Sequence, residues 1–248
     1  MRYTILNWPD LHERPEDEFP SYRPLALTTA RLLAQRWPLY VIGTLVVLVI
    51  EAAFVLLVHV KGAAYYPQLI AQPLLIAVTT VFIGADATRT FTTAQRWERI
   101  LERAWAIIVV DMGISFVAGS GLFTAQAGAV SADATNLLYG VLTVLLSGML
   151  VYAEPFIMLE NDAHTLTMVP FAILRSMMLA WVNIPRIFAL LAVTIGITLI
   201  ATLAEQTAPV AARAWIEMIV ATIFTAPVAA LYTVAYLDTL SQERRAIG

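Results

Sequence analysis

Long apolar runs alternate with short polar segments along almost the whole chain. Several of these runs reach roughly 20 residues, which is enough for a helix to cross a hydrocarbon core about 30 Å thick. The pattern therefore predicts an all-α, polytopic membrane protein with six transmembrane helices. The six predicted spans are Leu39–Val60, Tyr66–Ala85, Ala104–Thr124, Asn136–Leu159, Ile187–Ala204 and Trp215–Leu237.

A mixed segment that ends on a tryptophan precedes the first, third and fifth spans, and these tryptophans are Trp37, Trp105 and Trp181. In "TTAQRWERILERAW", before the third span, apolar and basic residues fall on opposite faces of a helix. This arrangement is typical of an amphipathic helix at a membrane surface. The sequence thus predicts three units, about 22–87, 88–160 and 163–238, each an interfacial helix followed by a transmembrane hairpin.

The basic residues indicate the orientation. Thirteen of the fifteen fall on one side of the predicted spans, and only Lys61 and Arg213 fall on the other. Lys and Arg concentrate in cytoplasmic loops of membrane proteins. We therefore expect a membrane domain over residues 22–240, with cytoplasmic tails at 1–21 and 241–248.

Composition narrows the chemistry. Hydrophobic residues make up 60% of the chain and charged residues 13%, whereas soluble domains average about 25% charged residues. There is no cysteine, which excludes disulfides and thiolate metal sites. The three histidines lack metal-site spacing, and no phosphate-binding loop motif occurs. We expect no enzyme activity, no metal, no cofactor apart from bound lipids, and no nucleic-acid partner.

A family resemblance rests on three short segments. A proline, apolar residues and an acid end the fourth span, a second motif precedes the fifth, and an aromatic-Leu-Asp closes the sixth before a basic tail. Over roughly residues 22 to 245 the chain resembles YciC-like bacterial six-helix membrane proteins and the membrane domains joined to some glycerophosphodiester phosphodiesterases. The resemblance implies a six-helix fold in a bacterial inner membrane. The matching residues are Pro155 to Glu160, then Ala172, Leu174, Arg175, Ser176, Leu179 and Asn183, then Tyr236, Leu237, Asp238, Arg244 and Arg245.

Three acids lie inside the predicted spans: Glu51, Asp111 and Glu154. Ionisable groups in the hydrocarbon often mark functional sites. Adjacent antiparallel helices would bring Asp111 and Glu154 to a similar depth, where two carboxyl groups could share a proton, as a proton-coupled carrier requires. In the alternative interpretation each acid is neutral or hydrogen-bonded and packs one helix on another.

Other candidate residues lie at the span ends. His59 is a candidate ligand for a pigment or metal, and Trp8 and Phe19 in the acidic N-terminal tail are candidate partner-docking residues. The predicted lipid-headgroup or interface residues are Arg31, Trp37, Arg96, Trp97, Arg99, Arg103, Trp105, Arg175 and Trp181.

Two functions of different class follow from these patterns. The first is a non-catalytic accessory or scaffold subunit that packs laterally against other integral membrane subunits and lipids in a larger complex. The second is a small proton-coupled carrier or permease that uses the intramembrane carboxylates. A membrane-bound enzyme acting on lipids is a third interpretation.

Overall fold

The computed structural model describes residues 23–58, 65–126, 132–160 and 168–247, and every regular element within these ranges is an α-helix. The all-α prediction is therefore confirmed for this part of the chain. In chain order the helices are α1 (Arg23–Gln35), α2 (Trp37–Val58), α3 (Tyr65–Thr88), α4 (Thr93–Gln126), α5 (Ala132–Leu150), α6 (Ala153–Leu159), α7 (Met168–Val182), α8 (Ile184–Thr207) and α9 (Val210–Ile247).

Five stretches within the described ranges are long and apolar enough to cross a membrane, which is consistent with a membrane protein. The third predicted span, Ala104–Thr124, lies on α4 and is not among the five. The side chains of α4 beyond residue 114 are outside the described ones. The five stretches are Trp37–Leu57, Leu69–Thr88, Val141–Leu159, Ile184–Ala204 and Met218–Glu243.

Prolines decide where a predicted surface helix separates from the span that follows it. Pro38 and Pro185 are each the second residue of a new helix, and the preceding helix ends just before, at Gln35 and Val182. Proline has no N–H and disfavours helical geometry in the residue before it, so it ends a helix that approaches it. The middle unit has no proline at this position, and α4 therefore runs unbroken for 34 residues.

A four-residue turn joins α3 to α4, and the sequence specifies both of its ends. Arg89 adopts a left-handed conformation with φ of 56°, which stops α3 as a residue just past a helix C-terminus commonly does. Thr92 then caps α4, because its N–H donates to Gln95 Oε1 at 2.9 Å while its Oγ1 accepts from the Gln95 N–H at 3.4 Å. This reciprocal pair is a capping box.

The fourth predicted span is broken between α5 and α6. Pro155 cannot donate to the carbonyl four residues earlier, and its ring crowds that carbonyl, so the helix ladder opens. Ser176 of α7 fills the opening: its Oγ accepts from the Tyr152 N–H at 3.1 Å and donates to the Met149 carbonyl at 2.7 Å. The break places Glu154 in the first turn of α6.

Helix α3 forms the centre of the bundle. It contacts α1, α2, α4, α6 and α9, and small or β-branched residues such as Ala77, Val81 and Ile83 are completely buried along it. By contrast, only 17% of the apolar windows of α2 and α8 is buried inside the protein, against 61% for α3. Large apolar side chains dominate the outward faces of α2 and α8, as expected of helices that face lipid.

Candidate functional site: buried carboxyl groups in the helix bundle

The structure brings the carboxyl groups of Asp111 on α4 and Glu154 on α6 within hydrogen-bonding reach of each other. Two carboxyl groups can bond to each other only if at least one carries a proton, because an ionised carboxylate has no donor. Asp111 lies eight residues after Arg103 and Glu154 six residues before Glu160. At about 1.5 Å per residue, the pair sits about 9 to 12 Å inside the ends of these segments.

A cavity of about 240 Å³ lies on one side of this pair, between α8, α9 and α3. Its exposed surface is mostly apolar, and Glu154 is among the residues that line it. Thr194 and Tyr232 lie beside it and bond to each other through their hydroxyl groups at 2.5 Å. Thr198 on α8 is exposed, so this side of the cavity reaches the protein surface within the apolar window of α8. The functional groups that line the cavity are Glu154, Thr194, Thr198, Phe224, Thr225 and Tyr232.

Glu51 occupies a second buried polar cluster, between α2, α3 and α9. Its carboxyl group accepts a hydrogen bond from Thr222 Oγ1 at 2.7 Å and another from Gln72 Nε2 at 3.2 Å, and the residue is 0% exposed. These two bonds satisfy the carboxyl group without a basic partner. Glu51 lies fifteen residues after Arg36, about 22 Å at about 1.5 Å per residue, and therefore deeper than the Asp111–Glu154 pair.

Away from these two clusters, arginine and acidic side chains connect the ends of the helices. Asp86, near the end of α3, pairs with Arg96 at 2.7 Å and with Arg36, whose Nη2 donates at 3.0 Å. The hydrogen bond to Asp86 raises the pKa of Arg36 above its ordinary value. Both guanidinium groups also lie over the ring of Phe82. One carboxylate thus joins α3 to the start of α2 and to the start of α4.

The same join recurs in the middle unit, with backbone oxygens as acceptors. Arg99 donates to the carbonyls of Leu159 at 3.3 Å and Glu160 at 3.0 Å, and Arg103 donates to the carbonyls of Ile157 at 2.8 Å and Glu160. Burial lowers the pKa of Arg99 to about 10 and that of Arg103 also falls for the same reason. Arg99 therefore stays positively charged at neutral pH, and the last carbonyls of α6, which have no partner within that helix, are satisfied.

In the third unit Arg186, near the start of α8, pairs with Asp238 of α9 at 2.7 Å and donates to Thr239 Oγ1 at 2.8 Å. Thr239 also bonds Tyr152 at 3.2 Å, which connects this join to the broken fourth span. In each of the three predicted units, an arginine on or just before one long helix bonds a residue at or near the end of the apolar stretch that follows.

The predicted interface residues divide into two groups. Arg96, Arg99 and Arg103 were expected to face lipid headgroups, but they are 7%, 8% and 9% exposed. The physical reason is that the helix face bearing them packs on the ends of α3 and α6, where acceptors are available. Arg175 pairs with Glu243 at 2.5 Å. Exposed at the surface are Arg31, Trp37, Trp97, Trp105 and Trp181, and their role in lipid contact stays a prediction.

His59, Trp8 and Phe19 lie outside the described residues. Within the described ranges no group of three or more His, Cys, Asp or Glu side chains could hold a metal ion.

The sequence did not lead us to the hydroxyl groups that hydrogen-bond to the acidic residues or lie beside them. Five hydroxyl-bearing residues recur at helical spacing along α9: Thr222, Thr225, Tyr232, Tyr236 and Thr239. Four of them hydrogen-bond to a group described above or line the cavity. The fifth, Tyr236, donates a hydrogen bond to Glu160 Oε1 at 2.9 Å. Residues three, four or seven apart share a helix face, so the spacing could have indicated a polar stripe. Such hydroxyls are common in membrane helices, however, and only the neighbouring acids identify this stripe.

Comparison with known proteins adds no identification: no protein-family model, curated protein or solved structure matches this chain.

Proposed function

We propose that the chain crosses a bacterial inner membrane six times, with both termini in the cytoplasm. Helix α4 is about 51 Å long at about 1.5 Å per residue. Because the hydrocarbon core is about 30 Å thick, the stretch Ala104–Thr124 of α4 can cross it and bring the number of spans from five to six. The arginine-bearing first turns of α4 then stay at the interface. The bias of thirteen basic residues against two supports this orientation.

The three arginine joins support the arrangement in three hairpins. Arg36–Asp86, Arg103–Glu160 and Arg186–Asp238 each connect the start of one long helix to the end of the next long segment. Two helices that meet in this way run in opposite directions, and their joined ends lie on the same side of the membrane. The charged groups then sit at the cytoplasmic interface, where water and headgroups lower the cost of charge.

Of the two functions that the sequence suggested, the geometry favours a small proton-coupled carrier. The observation that carries this proposal is the Asp111–Glu154 carboxyl pair beside a cavity of about 240 Å³. A proton shared by two carboxyl groups can be gained or lost as the charge in the cavity changes. A solute in the cavity would therefore be linked to protonation of the pair.

The test uses inverted membrane vesicles from cells that produce the chain. A pH gradient is generated, and its collapse is followed with a pH-sensitive dye as amines, amino acids, sugars and carboxylates are added in turn. We expect at least one class to collapse the gradient faster with the wild-type chain than in vesicles from cells that lack it, and Asp111→Asn and Glu154→Gln to abolish this difference. The vesicles without the chain are needed because amines cross lipid in their neutral form.

Glu243→Gln is the matched control, because Glu243 pairs with Arg175 near the end of α9, away from the cavity. This variant should respond as the wild type does. If no solute collapses the gradient faster than in vesicles without the chain, the carrier proposal is contradicted. Full activity in both Asp111→Asn and Glu154→Gln would contradict it as well.

The second candidate is an accessory subunit of a larger membrane complex. It is favoured by the apolar outer faces of α2 and α8, because only 17% of the apolar window of each helix is buried inside the protein. These faces could pack against other integral membrane subunits or against lipids alone. Isolation from native membranes in mild detergent separates the candidates, since an accessory subunit would appear in a stoichiometric particle with other chains.

A further inference from the structure

The cavity beside Glu154 has a size that restricts what it can hold. At about 240 Å³ it exceeds the roughly 150 Å³ of an apolar cavity that accepts benzene. It is smaller than the roughly 300–1,000 Å³ of pockets for drug-sized ligands. The occupant that fits is therefore a compact organic molecule slightly larger than benzene.

The wall of the cavity restricts the chemistry of that occupant. The exposed surface of the lining is mostly apolar, with aliphatic residues such as Ile76, Ile197 and Val228, and this favours an occupant with hydrocarbon surface over a hydrated inorganic ion. The rings of Phe224 and Tyr232 also line it, and aromatic faces attract organic cations. An apolar wall with two rings suits a molecule with a hydrocarbon body.

Glu154 indicates the sign of the charge that the occupant of the cavity should carry. Asp111 lies within hydrogen-bonding reach of Glu154, and loss of the last proton from such a pair would leave an uncompensated negative charge in an apolar setting, which is costly. Among the described residues that line the cavity, Glu154 is the only one with an acidic or basic side chain. A positively charged group placed beside it would offset the carboxylate charge and donate a charge-assisted hydrogen bond.

The opening of the cavity agrees with this chemistry. Thr198 is exposed on α8 within the apolar window Ile184–Ala204, so a molecule can reach this side from the membrane. An amine with a hydrocarbon body partitions into the interfacial region of a bilayer, as amphipathic groups do.

We propose that this cavity binds a small organic cation, an alkyl or arylalkyl amine of about the size of benzylamine, with its ammonium group on Glu154 and its hydrocarbon body against Phe224, Tyr232 and the aliphatic wall. The inference rests on the proposed carrier function in treating the cavity as the substrate site.

The test measures binding to the full chain in lipid nanodiscs by titration calorimetry. Benzylamine, which is protonated at neutral pH as alkyl amines are, is compared with benzyl alcohol, a neutral molecule of nearly the same shape. A hydrogen bond to a charged group contributes about 1.5–3 kcal/mol, so benzylamine should bind roughly ten- to a hundredfold more tightly than benzyl alcohol. Equal binding of the two compounds would overturn the proposal.

Three variants assign the binding to this site. Glu154→Gln should reduce benzylamine affinity at least tenfold and bring it close to that of benzyl alcohol. Val228→Phe, which fills the cavity and leaves the acid in place, should reduce binding of both compounds. Glu51→Gln removes a buried carboxyl group that does not line the cavity and should leave affinity unchanged. Undiminished binding in Glu154→Gln or in Val228→Phe, with both variants folded by thermal melting, would overturn the assignment.

This assay needs no transport, so its failure is distinguishable from failure of the carrier proposal. If benzylamine binds as expected and no solute collapses the vesicle gradient, the cavity is an amine site in a protein that is not a carrier. If another solute class collapses the gradient and benzylamine does not bind, the carrier stands and the amine assignment is wrong.

Discussion

The ion pairs Arg186–Asp238 and Arg175–Glu243, whose acids both lie on α9, allow a direct comparison of a buried and a partly exposed ion pair. The side chains of Arg186 and Asp238 are 8% and 12% exposed, whereas those of Arg175 and Glu243 are 26% and 35% exposed. Asp238 and Glu243 lie five residues apart on α9. Replacing each acid with its amide removes one negative charge and changes little in shape.

Asp238→Asn should destabilise the protein by about 3–5 kcal/mol, because it leaves the Arg186 charge buried and unpaired. Glu243→Gln should cost about 0–1 kcal/mol, because water and ions screen an exposed pair. Adding Arg186→Met to Asp238→Asn should recover part of the loss, since the double variant no longer buries an unpaired charge.

The measurement is the free energy of unfolding in mixed detergent micelles, followed by loss of helical circular dichroism. The reasoning is refuted if Glu243→Gln costs as much as Asp238→Asn. It is also refuted if Arg186→Met makes the Asp238→Asn protein less stable still.

Two further changes test how the helices are joined. Ser176→Ala should cost about 1–3 kcal/mol, because it leaves the buried Tyr152 N–H without a partner at the α5–α6 break; unchanged unfolding would show that the serine does not hold the break. Gly84→Ala should cost about 1–3 kcal/mol by overpacking, since its new methyl group would lie within 2.8 Å of the buried Leu159 side chain. Gly196→Ala is the control for Gly84→Ala, because nothing lies within 4 Å of its new methyl group. It should be neutral or stabilising by about 0.5–1 kcal/mol. The free energies of unfolding of the two variants are compared in the same thermal and chemical unfolding measurements.

Much of the fold is predictable because hydrophobic run length and proline position act locally. The apolar runs locate α2, α3, α8 and α9, and Pro38 and Pro185 account for the breaks before α2 and α8. The break before α6 is harder to predict. Pro155 opens the ladder there, but Ser176, twenty-four residues from Tyr152, satisfies the freed N–H, and that contact depends on tertiary packing.

The rotation of an amphipathic helix is not set by its own pattern. In α4 the basic face is clear from sequence, yet it turns toward the ends of α3 and α6 because Asp86 and the last carbonyls of α6 are there to accept its hydrogen bonds. One sequence feature points to this arrangement. The segments Phe82–Asp86 and Phe156–Glu160 both run from Phe-Ile to a terminal acid. Arginines bond the carboxylate of Asp86 and the backbone carbonyl of Glu160.

For the acidic residues, too, the sequence predicts the depth along a helix but not the tertiary contacts. Antiparallel neighbours with Asp111 and Glu154 at similar depths can be inferred from counting residues along each span. The cavity beside Glu154 cannot, because its wall is assembled from α3, α8 and α9. Glu51 likewise depends on Thr222, which lies 171 residues away in the chain.

The proposed carrier function requires that this chain alone couples solute movement to protons through the Asp111–Glu154 pair. The most direct test uses liposomes that contain only the purified chain and a trapped pH indicator, with benzylamine and then the other solute classes added outside. Empty liposomes give the baseline, because the neutral form of an amine crosses lipid unaided and takes up a proton inside. Wild-type protein and Glu243→Gln should move protons faster than this baseline with at least one solute, and Glu154→Gln should not. Wild-type liposomes that match empty ones with every solute would contradict the carrier function and favour the accessory-subunit function.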